Sequence, residues 1–201
     1  MPRLSEIGVL ILGGGEATRL PGKLELEAGD LPLLARVARN TAGGRETFVA
    51  CKGSFPPALD ALVPGTAVVD RWSRRGPLAG LLTTMSRMHA RFVFAVAGDA
   101  PLIDARFIEA LAGSLREGDE AIVPRHSRDG KAQLEPLAAL YDRLAFLREG
   151  LPVLRSGRGR LDLVIARLRA RFVEVADARI FANVNTPADY AALRAQLGEP
   201  A

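Results

Sequence analysis

Ile7-Gly-Val-Leu-Ile-Leu-Gly-Gly-Gly-Glu-Ala-Thr-Arg-Leu-Pro-Gly-Lys23 decides how the rest of this chain is read. Its first six residues form a short, continuous apolar run, the pattern of a strand buried on both faces. Three glycines follow at once. Such a turn lets the backbone approach a ligand closely and points N–H groups at anionic oxygens. Arg19 and Lys23 add positive charge where phosphates would lie. The loop has neither the Gly-Lys-Ser/Thr ending of a Walker A sequence nor the glycine spacing of a dinucleotide fingerprint. It reads as a phosphate-binding turn of another kind, or as a plain strand–helix turn with two cations.

Working outward, Pro32 to Asn40 has helical spacing, with Leu33, Leu34 and Val37 on one face. Strands are expected at Thr47 to Cys51, Ala67 to Val69, Arg91 to Ala97, Ala121 to Pro124 and Phe172 to Ala176. Helices are expected from Gly76-Pro77 to about His89, from Ala105 to Leu115 and along the amphipathic Arg158 to Arg171. A final helix opens with Thr186 as N-cap and Pro187 at its first position. Leu134 to Tyr141 is extended and apolar, expected to run antiparallel beside the main sheet. Ser127 to Lys131 and Arg155 to Gly159 read as loops. Alternating strands and helices predict a three-layer α/β/α sandwich around a Rossmann-like, mostly parallel sheet, with residues 1–201 as a single domain.

Composition narrows the chemistry. An apolar fraction of 48% in 201 residues supplies a real core and argues against disorder. No apolar run is long enough to span a bilayer, and Met1 to Glu6 lacks the sections of a signal peptide, so the expected compartment is the cytoplasm. Cys51 is the only cysteine, and His89 and His126, the only histidines, are expected at the surface. A thiolate or histidine zinc site is therefore disfavoured, and a metal here would be a hard cation on carboxylates. The net charge of +4 rests almost wholly on scattered arginines; Lys23, Lys52 and Lys131 are the only lysines. That distribution argues against nucleic acid and suits small phosphorylated ligands.

Three further constellations could carry chemistry. Asp99, in Ala97-Gly-Asp-Ala-Pro101, follows the strongest strand and so falls at the carboxyl edge of the sheet, where open α/β sheets bind ligands. A carboxylate there can hold magnesium, which completes its shell with phosphate and water; the alternative is a turn aspartate. Asp70 also ends a strand, ahead of Gly76-Pro-Leu-Ala-Gly80; a solvated loop residue is the plainer account. Asn183 and Asn185 alternate around Val184, so both amides are expected to face one side, where they suit a polar heterocycle or simply shape a turn. Glu135-Pro136 is a weaker candidate.

In this order, from about Gly8 to Tyr190, the motifs resemble those of the molybdenum cofactor guanylyltransferases. Gly76-Pro-Leu-Ala-Gly80 and Asn183-Val-Asn-Thr-Pro187 are the more specific of them. The resemblance implies that Leu12, Gly13, Gly14, Lys23, Asp70 and Asp99 bind the nucleotide. It implies that Asp99 ligates Mg2+, that Arg19, Lys23 and Asp99 are catalytic, and that Asn183 and Asn185 bind the acceptor. The implied reaction moves GMP from GTP to the terminal phosphate of the molybdenum cofactor, releasing pyrophosphate. GTP and that cofactor would be the ligands, with transient contact to proteins that handle the cofactor, and no nucleic acid or membrane as partner. Rival readings are transfer from CTP or to a sugar phosphate, or a nucleotide- or pterin-binding module without catalysis. Three residues separate Arg19 from Lys23, fewer than is usual in that family.

Overall fold

The computed structural model describes residues 2–13, 20–53, 55, 57–70, 76–128 and 130–198. Gly14 and Arg19 lie outside them, as do Arg71, Arg74 and Arg75. The strands are β1 (Gly8–Leu12), β2 (Glu27–Ala28), β3 (Leu31–Pro32), β4 (Glu46–Cys51) and β5 (Thr66–Val69). They continue with β6 (Phe92–Ala97), β7 (Ala121–Arg128), β8 (Lys131–Leu134), β9 (Ala138–Asp142) and β10 (Ala170–Glu174). The helices are α1 (Leu33–Asn40), α2 (Pro57–Asp60), α3 (Gly76–Met85), α4 (Ala105–Gly113), α5 (Arg143–Arg155), α6 (Leu161–Ile165) and α7 (Pro187–Gln196).

The main sheet has the order β10-β7-β9-β6-β1-β4-β5, with β8 hairpinned onto β7. β6, β1, β4 and β5 are mutually parallel, and β10 is parallel to β7. β9 runs antiparallel to both β6 and β7 and is buried, so it is an interior strand and not one set beside the sheet. The alternation of side chains sorts the core into two layers. Val9, Ile11, Phe94, Val96 and Leu140 pack with α1 and α4 on one face. Leu10, Val93, Ala95, Ala139 and Tyr141 pack with α3, α5 and α6 on the other. The three-layer, mostly parallel architecture expected from the sequence is what is found.

Boundaries moved where packing overrode local pattern. The amphipathic stretch 158–171 holds only the short α6, and Ala170 and Arg171 already belong to β10. Ser127, Arg128 and Lys131 are not in a loop: β7 and β8 pair through Ser127↔Ala132 and Arg128↔Lys131. That longer β7 also corrects the placement of His126, which is 5% exposed and not a surface residue. Its ring stacks on Phe181 at 5.3 Å, and its Nε2 lies 2.8 Å from Glu135 Oε1. His89 is exposed, as expected.

At the edge opposite the glycine turn, Glu120 ties three elements together. Its carboxylate accepts from the Arg169 backbone N–H at 3.0 Å and from Arg148 Nη2 at 3.0 Å, and its backbone oxygen accepts from Asp142 N. The Arg169 N–H, helped by the Arg148 side chain and opposed by burial, holds the carboxyl below the usual glutamate value. A depressed native value means that its stabilisation is complete above the ordinary value of 4.5 and is lost as pH falls through the native one. Glu120→Gln should cost about 1–2 kcal/mol at neutral pH, and urea unfolding should show that difference shrinking in acid. A difference that held or grew below pH 4 would contradict this account of Glu120.

Candidate nucleotide site

The parallel register brings four strand ends to one edge. Leu12 pairs with Ala50 on one side and Ala97 on the other, and Cys51 pairs with Val69. Three backbone bonds carry the alignment past the strands: Gly13 N to Ala50 O at 2.8 Å, Gly98 N to Leu12 O at 2.9 Å and Asp70 N to Cys51 O at 2.8 Å. Leu12, Gly13, Asp70 and Asp99 therefore lie along one edge of the sheet, the strand-end placement the sequence predicts for the two aspartates, and that edge is the trough of the candidate site. The close approach at Gly98 admits no side chain. A Cβ there would lie 2.9 Å from both Leu12 O and Leu34 Cδ1.

Asp99 and Asp70 sit at opposite ends of this trough. Their strands, β6 and β5, are separated by β1 and β4, three strand spacings or about 14 Å. One ion cannot bridge them, and among the described residues no three acidic, histidine or cysteine side chains gather as a metal cage.

At the Asp99 end, Lys23 Nζ donates to Asp99 Oδ2 and, at 2.8 Å, to Asn185 Oδ1. The short loop before Lys23 does reach the edge. Gly22, at φ +68°, turns the chain into a single 3-10 turn over Lys23–Glu25. A left-handed residue at that point is what glycine allows. The acceptor oxygen of Asn185 is fixed from behind. Val184 N donates to Asp99 O at 2.9 Å, and Asn185 N donates to Asp189 Oδ2 at 3.0 Å. Asp189 also caps Thr186 N, and Thr186 Oγ1 accepts from Asp189 N, closing the capping box that starts α7.

Asn183 goes elsewhere. It lines a small cavity of about 120 Å³ with Pro101, Leu102, Val184, Asp189 and Leu193. Among the described contacts Asn185 bonds Lys23 and Asn183 lines the neighbouring cavity, with Val184 buried between the two exposed amides.

At the Asp70 end the carboxylate is buried and accepts from Thr83 Oγ1 at 3.3 Å. Thr83 was missed by sequence reasoning, although it lies one turn after Gly80 and so on the same face of α3. Gly80 itself presses onto the trough floor. A Cβ there would lie 3.1 Å from Leu12 Cδ2 and 3.6 Å from Ala50 Cβ. The backbone of α3 at Gly80 thus packs directly against Leu12 and Ala50, close to the buried Asp70.

This edge combines a cation, a largely buried carboxylate paired with it and a second, buried acid, all at the ends of parallel strands. The MobA-like NTP transferase domain matches residues 9–171, the span that builds it. A probable molybdenum cofactor guanylyltransferase of Natronomonas pharaonis is 29% identical over 94% of this chain and 96% of its own. One of Deinococcus radiodurans is 30% identical over 81% of this chain and 80% of its own. Among solved structures, the molybdopterin-guanine dinucleotide biosynthesis protein A of Archaeoglobus fulgidus superposes with a TM-score of 0.76. At 21% identity, covering 95% of this chain and 98% of that one, it supports the fold alone. The chain belongs to the MobA-like NTP transferase domain family, with molybdenum cofactor guanylyltransferases matching it along nearly its whole length.

Proposed function

We propose that the chain transfers GMP from GTP to the terminal phosphate of the molybdenum cofactor and releases pyrophosphate. The observation that carries this reading is the Lys23–Asp99–Asn185 group, assembled beside the Gly13 turn at the end of the trough away from Asp70. The nucleoside lies towards Gly80, Asp70 and Thr83, and the phosphates lie towards Gly13, Lys23 and Asp99. Asn183 and the cavity it lines face the acceptor. Asn185 belongs to both halves, since it faces that side while its amide oxygen holds Lys23.

Magnesium fits the donor set. Asp99 is a single, half-buried carboxylate that already carries a cation in the form of the Lys23 ammonium. A site with one carboxylate suits an ion that takes the remainder of its shell from substrate phosphates and water. When bound, the ion supplies neutralisation of phosphate charge. The chain's own residues do the positioning. The glycine-turn N–H groups and Lys23 hold the phosphate oxygens, and Asp99 fixes the charge-neutralising end of the trough. An acceptor phosphate is already ionised at neutral pH, so alignment and charge neutralisation matter more than a general base.

Guanine is the expected base because the relatives that match along the chain are named as guanylyltransferases and the strand ends near Gly13 present backbone groups. Such groups can meet its paired donors and O6, and an unmet polar edge costs about 1–3 kcal/mol. Calorimetric titration with GTP, CTP and ATP, in magnesium and without acceptor, should give GTP roughly ten- to hundredfold tighter binding. Tighter binding of CTP would move the assignment to cytidylyl transfer.

A further inference from the structure

The reading above gives Asp99 to a divalent ion and Lys23 to a phosphate, yet the two side chains are bound to each other. The contact is a built seat and not a surface pairing. Both side chains are only 15% exposed, and the ammonium has a second acceptor in Asn185 Oδ1. Neither acceptor is free to drift. The Asp99 backbone is tied to Val184 and the Asn185 backbone to Asp189, so carboxylate and amide face the ammonium from fixed positions. An ammonium on a carboxylate occupies the oxygen a metal would take, and two cations on one carboxylate repel.

We propose that Lys23 is the resident counter-cation of Asp99 in the ligand-free protein, seated by Asn185, and that it must leave before a divalent ion can bind. The inference rests on the assignment of Asp99 as the metal ligand. Its consequence is an order of assembly. A metal ion arriving alone competes with a tethered ammonium. A nucleotide triphosphate gives that ammonium another anion, so metal and nucleotide bind better together than either does singly. The apparent affinity for metal alone is the intrinsic affinity multiplied by the fraction of molecules in which the seat is empty. Asn185 is then a positioning residue for Lys23, in addition to anything it contributes to the acceptor.

The test is a titration of the nucleotide-free full chain with Mn2+, read by loss of the free-ion paramagnetic resonance signal. Lys23→Met should bind Mn2+ about tenfold more tightly than the wild type, as expected if the seat is filled about nine-tenths of the time. Lys23→Arg should keep the suppression, and Asn185→Ala should relieve it in part. Lys23→Met combined with Asp99→Asn should lose the gain. Equal Mn2+ affinity in wild type and Lys23→Met, with Asp99 still needed for Mn2+ binding in the GTP-loaded protein, would overturn the seat and spare the metal assignment. Mn2+ binding indifferent to Asp99 even with GTP present would overturn both.

Discussion

Asp99→Asn is expected to lower the rate of nucleotidyl transfer at least about a hundredfold while the protein stays folded. The two halves of that expectation have separate physical grounds. The fold should survive because the structural bonds at this position use the backbone: Val184 N donates to Asp99 O, which asparagine retains. The side chain engages only Lys23 in the described contacts, at a half-buried edge. Activity should fall because asparagine fills the same space without the charge that anchors a cation against the phosphates. A neutral amide also leaves Lys23 without its counter-charge. Circular dichroism and single-turnover transfer on the same preparation would check both. Near wild-type turnover in magnesium would remove Asp99 from the metal site.

The largest effect on stability is expected at Phe146→Ala, about 3–5 kcal/mol in urea unfolding. Phe146 is wholly buried under α3 and the sheet, with its ring 4.8 Å from that of Tyr141. Truncation would open a cavity beneath a tyrosine whose hydroxyl is already committed to Pro136 O at 2.8 Å. Burial pushes the ionisation of that hydroxyl upward. A loss under about 1 kcal/mol would mean that α5 can settle into the gap and that its packing is looser than the contacts indicate.

Phe146 also marks where the sequence was hardest to read. The helix that carries it, α5, is missing from the elements expected for residues 143–155, because Gly150 and Pro152 interrupt its pattern. Both residues normally mark a break. Here Gly150 answers to packing: a Cβ would lie 2.8 Å from Leu82 Cδ2, so the glycine lets α5 press onto α3. A tertiary contact of that kind leaves no local signal. His126 failed for the related reason that its burial depends on β8 folding back onto β7 and on Phe181 arriving from 55 residues later.

The parallel half of the sheet was legible because continuous apolar runs such as Val9 to Leu12 and Phe92 to Ala97 can be satisfied only with both faces covered. β9 has the same composition; its antiparallel direction was expected, and its interior place emerged only from the pairing. At the candidate site, strand-end placement announced Gly13, Asp70 and Asp99. Side-chain partnerships across long separations, Lys23 with Asp99 and Asn185, or Thr83 with Asp70, were not announced by spacing. The alternation of Asn183 and Asn185 around Val184 was legible, and Val184 is the buried residue of the three.

The most direct test of the account is to incubate the purified chain with magnesium, molybdenum cofactor and each nucleoside triphosphate, and to measure pyrophosphate together with the pterin product. The account predicts pyrophosphate with GTP, in equal amount to a guanine dinucleotide of the cofactor and dependent on the cofactor being present. Pyrophosphate and a dinucleotide formed from CTP instead, or no dinucleotide from any triphosphate, would contradict it.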